Sequence, residues 1–273
     1  MKLSLACISL FSLFISCFQC ASAAGETGAF SLPDEARKAG TRLLAESKDF
    51  GVTPLQINNG NLLLTLGVAG ALGLTYVYDG EIRDALQKNR SQSIDKAADA
   101  GALAGDPFLH LGVAALVYGG GILAESPRWK ETGEMLGEAL ILADGAALIL
   151  KEATGRGRPT VTARKGDFYP FGFRSDYDGF PSMHTASSFA VASVLARTSE
   201  SLTVAVASYC AATFVGFSRM NQDKHWASDV LLGAAIGELA GRVATSQHAR
   251  KSSYALVPTV TVAGGGLALM GHF

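Results

Sequence analysis

Cysteine is nearly absent from the body of this chain. Of its four cysteines, Cys7, Cys17 and Cys20 crowd the N-terminus and Cys210 stands alone thereafter. A single thiol cannot close an intramolecular disulfide, so the fold must stand on packing. Its small neighbours Ala207, Ser208, Ala211 and Ala212 predict a buried core position for Cys210. Charge is also scarce. Asp, Glu, Lys and Arg make up 17% of the residues and the net charge is -1, which excludes nucleic acid as an expected partner. Strand-like alternation is missing through the middle of the chain. No apolar segment there reaches the roughly 20 residues that a membrane span needs.

What is present is a large apolar fraction, 48% of 273 residues, enough to bury a sizeable core. Lys2, the apolar run from Leu3 to Phe18 and the small residues Ala21, Ser22 and Ala23 read as a secretory leader over 1–23. An uncleaved anchor and a lipoprotein site at Cys17 are weaker readings of the same residues. Residues 24–58 form a polar segment in which Leu32, Pro33, Asp34 and Glu35 open an amphipathic helix over 34–48. Apolar segments rich in Ala, Gly, Leu and Val follow at 61–77, 107–124, 134–150, 185–197, 202–217 and 228–245. They predict an all-α bundle of about six core helices, its small residues allowing close approach. A charged helical stretch over 81–100 links the first two. The tail, 248–273, has partial alternation after Tyr254 and then Gly264, Gly265 and Gly266, consistent with a small C-terminal β-hairpin. The bundle itself is expected over 59–247.

Three separated segments carry the chemistry. The first holds Lys151, Arg156, Arg158 and Pro159, where Gly155, Gly157 and Pro159 force the chain out of a helix. The second is Pro181, Ser182, Met183 and His184, at the start of an apolar helix whose exposed N–H groups suit an anion. The third runs from Ser218 and Arg219 to His225 and Asp229, with the His and Asp four apart so that on a helix they share a face. Taken singly, each is also an ordinary feature: basic residues at a helix end, a helix cap, a surface His–Asp pair. Taken together they supply cations, a hydroxyl, two histidines and a carboxylate. That is the inventory needed to bind a phosphate dianion and cleave its ester.

In order and spacing these segments resemble the type-2 phosphatidic acid phosphatase superfamily, which includes lipid phosphatases, class A acid phosphatases and vanadium haloperoxidases. Its pattern is K-x6-RP, PSGH and SR-x5-H-x3-D. The first and third parts are met in full, and the second departs only at Met183, where glycine is usual. The resemblance implies that Lys151, Arg158, Arg219, Ser182 and the Met183 N–H hold phosphate. It implies that His225 attacks phosphorus, Asp229 orients His225 and His184 serves the leaving oxygen. No metal or other cofactor is implied, and vanadate is expected as a phosphate-mimicking inhibitor. Arg156 is expected behind the site or in solvent, and His110, His248 and His272 receive no role. The expected activity is hydrolysis of phosphate monoesters or diphosphates, with a lipid phosphate favoured as substrate. A broad acid phosphatase is the alternative, and a haloperoxidase stands further off. The aromatic loop containing Phe168, Tyr169, Phe171 and Phe173 would pass near the pocket mouth, either gripping a lipid chain or packing on the bundle. A cleaved leader followed by three spans would leave Lys151 in the cytoplasm, so a periplasmic site predicts a soluble or membrane-associated bundle. Segment 61–77 is then the best single candidate for a span.

Overall fold

The computed structural model describes residues 32–57, 60–199, 201–251, 254–261 and 264–271. The leader expected over 1–23 lies outside the described residues. Helix α1 spans Leu32–Val52, longer at both ends than the sequence expectation. Its portion up to Leu44 belongs to a separate unit, held by local contacts such as the Lys38–Glu35 ion pair at 3.1 Å. The remaining chain, from Ala45 on, is one helical unit followed by two strands.

The helices of this unit are α2 (Asn61–Val77), α3 (Asp79–Lys88), α4 (Gln92–Ala104), α5 (Pro107–Leu123), α6 (Pro127–Thr154), α7 (Met183–Thr198), α8 (Leu202–Asn221) and α9 (Ala227–Lys251). The fold is all-α, as expected. The stretch read as one charged helix is two, α3 and α4. Ser91 caps α4 by accepting from the Ile94 N–H, and Asp106 caps α5 by accepting from Phe108 N and Leu109 N. Strands β1 (Tyr254–Thr261) and β2 (Gly264–Gly271) pair antiparallel, with Tyr254 opposite Gly271.

The core lies where α6, α7 and α9 meet, through Leu136, Ala139, Leu140, Ala143, Ala147, Ala186, Ala190, Val194, Ala240 and Ala244. Alanine dominates because the helix axes run close. A Cβ on Gly237 of α9 would sit 2.1 Å from the Ala186 carbonyl oxygen of α7, and one on Gly233 would sit 2.5 Å from that of Ser182. Glycine at this four-residue spacing is what lets the helix bearing His184 lie against the one that follows His225.

Two expectations fail. Cys210 is exposed on α8, because that helix buries Ala212, Val215, Gly216, Ser218 and Arg219 on its other face. The described helix long and apolar enough to cross a membrane is α8, rather than 61–77. Helix α2 stops after 17 residues and meets α3 at a 58° bend, so it qualifies only if the bent pair is taken as one span. The pair α4 and α5, bent by 49°, is the other such case.

Candidate active site

The last turn of α6 carries Lys151, and Gly155 ends the helix in the left-handed region at φ 56°. No other residue fits there, since a Cβ would lie 1.9 Å from the Tyr169 carbonyl oxygen. The chain then runs back beside its own loop. Gly157 N–H donates to Asp167 O at 2.9 Å, and Arg158 N–H to Asp176 O at 3.0 Å. This turns Arg158 toward Asp178, to which Nε and Nη2 each donate at 2.7 Å. Lys151 Nζ donates to the backbone carbonyl of the same Asp178.

Ser182 is the N-cap residue of α7 and is fully buried, its N–H donating to Asp229 O at 2.9 Å. Met183 is the first helical residue. Its side chain is partly buried and packs against the apolar core. His184 follows, partly buried, within the reach of charges from Arg219, Asp106, Lys151 and Arg158.

Arg219 lies in the last turn of α8, ahead of the helix that follows His225. Its Nη1 donates to Gln222 Oε1 at 2.9 Å, and its buried Nε has no hydrogen-bond partner among the described residues. His225 precedes α9 and is 4% exposed. Its Nδ1 lies 2.7 Å from Gly179 O and 3.5 Å from Asp229 Oδ2. A carbonyl oxygen only accepts, so the proton sits on Nδ1 and Nε2 carries the lone pair in the neutral ring. The expected helical His225–Asp229 hydrogen bond is therefore replaced by one to Gly179. The reason is that His225 falls two residues before the helix begins. The consecutive carbonyls of Asp178 and Gly179 thus hold Lys151 and His225 in turn.

Asp229 faces the other way as well. Its Oδ2 accepts from Trp226 N–H at 2.8 Å, and its Oδ1 from Arg156 Nη1 at 2.5 Å. Arg156 is fully buried, which decides between the two placements expected for it. It also donates from Nη1 to Ser228 Oγ at 2.7 Å and from Nη2 to Asp79 Oδ2 at 2.8 Å. Asp79 in turn accepts from Ser228 N–H at 2.9 Å and Ser228 Oγ at 2.5 Å. The rings of Tyr76, Phe168, Phe180 and Trp226 surround the guanidinium at 5.1 to 5.9 Å. Trp226 is 2% exposed with Nε1 donating to Gly157 O, so it packs rather than lining an opening. Phe171 and Phe173, by contrast, are 69% and 77% exposed.

Burial, then the charges of Lys151, Arg158 and Arg219, hold His225 well below its ordinary pKa, so its ring is neutral. Burial and Arg219 take His184 to about 4, against a raising pull from Asp106. Lys151 falls to about 8 through burial, with Asp178 opposing. At Asp178, burial works upward, but the Arg158 fork and Lys151 bring the carboxyl below its usual range. Burial pushes Asp229 up to about 7 against the pull of Arg156.

Sequence reasoning missed Asp178 and Asp79. Asp178 had a local signal, an acidic residue in the loop between two cation-bearing segments. Asp79 had none, since its partners lie 77 and 149 positions away. His248, given no role, joins Glu46 and Glu138 in a buried group whose ligand atoms lie within 4.8 Å of one another and could hold a cation. That group lies toward the far end of α9, roughly 30 Å from its first turn.

Residues 135–253 match the PAP2 superfamily. Over 121 residues the chain is 40% identical to a lipid A 1-phosphatase of Porphyromonas gingivalis, a match covering 42% of this chain and 24% of that relative. The match thus takes in about a quarter of that relative's length. Among solved structures the chain is similar to LpxE of Aquifex aeolicus, with a TM-score of 0.50 and 23% identity over 61% of this chain and 93% of the other. It is also similar to a transmembrane PAP2-type phosphatidylglycerolphosphate phosphatase of Bacillus subtilis, with a TM-score of 0.52 and 18% identity over 73% and 97%. Residues 135–253, the stretch that carries all three motif segments, are thus what this chain shares with the PAP2 superfamily by similarity.

Proposed function

We propose that this protein hydrolyses phosphate monoesters of lipids without a metal, through a phosphohistidine at His225. One observation carries the reading. A neutral histidine with its lone pair on Nε2 is set among Lys151, Arg158 and Arg219, and the buried Arg219 Nε lacks a partner that a phosphate oxygen would supply. Lys151, Arg158, Arg219, Ser182 and the Met183 N–H hold the phosphate oxygens. His225 Nε2 attacks phosphorus in line and the bond to the leaving oxygen breaks as His184 gives that oxygen a proton. Water then attacks the phosphohistidine, His184 takes its proton, and inorganic phosphate leaves. Asp229 and Gly179 O keep His225 oriented. A bound dianion raises His184 from about 4 toward the range where it carries that proton.

A lipid substrate is favoured by the apolar side chains the helices leave exposed, among them Leu63 and Leu116 at 76% and Leu123 at 88%. It also agrees with the relative's name, a lipid A 1-phosphatase. Residues 59–247 act as the catalytic domain, exported and membrane-associated, with the site facing the periplasm. A broad-specificity acid phosphatase is the alternative.

The test is phosphate release from a lipid phosphate and from a small aryl phosphate, with EDTA present, beside His225→Ala. Turnover that survives EDTA and disappears in the variant is expected. Turnover persisting in His225→Ala, or stopped by EDTA, refutes the mechanism. A clear preference for the aryl ester favours the acid phosphatase.

A further inference from the structure

We propose that Asp178, a residue outside the three motif segments, determines anion specificity in the phosphate pocket and positions Arg158. The inference rests on the proposed phosphatase reading and names the charge class that the site selects.

Asp178 touches two of the three cations at the pocket. Its carboxylate takes Arg158 side-on through two hydrogen bonds of 2.7 Å, and its backbone carbonyl accepts from Lys151 Nζ. The carboxylate also stands 3.9 Å from that Nζ. A guanidinium has five donors in a fixed plane. With Nε and Nη2 engaged by Asp178, Arg158 keeps Nη1 for another anion and cannot rotate about its fork. Asp178 is therefore a splint for Arg158 and also a negative charge in a cationic pocket.

The charge has a consequence for substrate choice. Lys151, Arg158 and Arg219 bring three positive charges to this face, and Asp178 removes one. Asp178 thus lowers the positive charge offered to a phosphate, as Asp106 does from beside Arg219 and His184. Without Asp178 the same face suits a more highly charged anion such as a diphosphate, and it retains product phosphate more tightly. The carboxylate is partly exposed, at 36%, so its charge opposes any further anionic group brought to this face. Arg156 does not alter this balance in the pocket's favour, because Asp79 and Asp229 already flank it.

The test compares the full chain with Asp178→Asn and Asp178→Glu. Binding of inorganic phosphate is measured by titration calorimetry at pH 7, where a large share of it is the dianion and Lys151, at about 8, is still largely charged. Asp178→Asn keeps an acceptor for Arg158 and loses the charge. It is expected to bind phosphate on the order of tenfold tighter, and to raise kcat/KM for an alkyl diphosphate relative to the alkyl monophosphate by a similar factor. Asp178→Glu keeps the charge but displaces the fork, so it should bind phosphate within about threefold of the parent while kcat falls. Unchanged or weaker phosphate binding in a folded Asp178→Asn protein overturns the proposal, since a purely structural role would only weaken the site. If Asp178→Asn does not fold, Asp178→Ser is read by the same calorimetric criterion. A parent protein that binds phosphate yet hydrolyses no ester defeats the phosphatase reading, while the calorimetric comparison still decides the role of Asp178.

Discussion

Replacing Gly237 by alanine perturbs the site from a distance. Gly237 lies on α9, twelve positions after His225, and packs on α7 midway along the bundle. An added Cβ would meet the Ala186 carbonyl oxygen at 2.1 Å and Ala190 N at 2.8 Å, both backbone atoms that cannot swing aside. An ordinary contact requires about 3.4 Å, so α7 and α9 must part by roughly 1 Å. Overpacking of this kind costs about 1–3 kcal/mol, partly offset by about 1 kcal/mol of helix propensity gained over glycine. The separation also moves His184, carried by α7, away from His225, ahead of α9, and a displacement near 1 Å costs about a hundredfold in rate. Gly145→Ala on α6 is the control, because nothing lies within 4 Å of its Cβ. Thermal unfolding should show Gly237→Ala lowered by up to about 8 °C and Gly145→Ala unchanged or raised by a few degrees. Hydrolysis of an aryl phosphate should fall at least tenfold in Gly237→Ala alone. Equal melting temperatures and equal rates for the two variants would refute the claim that glycine spacing sets the distance between the histidines.

Asp79→Asn removes one carboxylate from the buried Arg156 pair and weakens the cap on Ser228 N–H, so chemical denaturation should show a loss of about 3–5 kcal/mol. Met183→Gly should destabilise by about 2 kcal/mol through lost core contact, without raising aryl phosphate turnover, because the Met183 side chain packs against the core. His184 contributes a pH dependence of one sign, opposed over the same window by Asp229, whose carboxyl is raised to about 7. His184 titrates near 6.5 when unfolded and about 4 when folded, so between these values the unfolded chain binds the extra proton. The His184 contribution is complete above 6.5 and falls as pH drops toward 4, by about 3 kcal/mol from this residue. The rise of denaturation midpoints with pH across that window should lessen in His184→Ala, and an unaltered slope would contradict the assignment.

The helices, and the three segments that the fold brings near one another, were both readable in the chain. Small-residue spacing and caps such as Asp106 are local, so helix positions followed from neighbours in sequence. The motif cations, Ser182 and the two histidines likewise stood out by residue type and spacing. Their orientation was another matter. The hydrogen bond of His225 goes to the Gly179 carbonyl rather than to Asp229, since its position ahead of α9 breaks the helical register that the four-residue spacing assumed. Cys210 and α8 show the same limit, because which face of a helix is buried depends on what packs against it. Arg156 and Asp79 lie furthest from sequence reach. A buried charge is tolerated only where partners from distant segments converge on it. The sequence by itself determined which groups are present and along which helices. Only the tertiary structure decided which of them carry charge, which proton sits where, and which carboxylate answers which cation, because burial and long-range pairing set those energies.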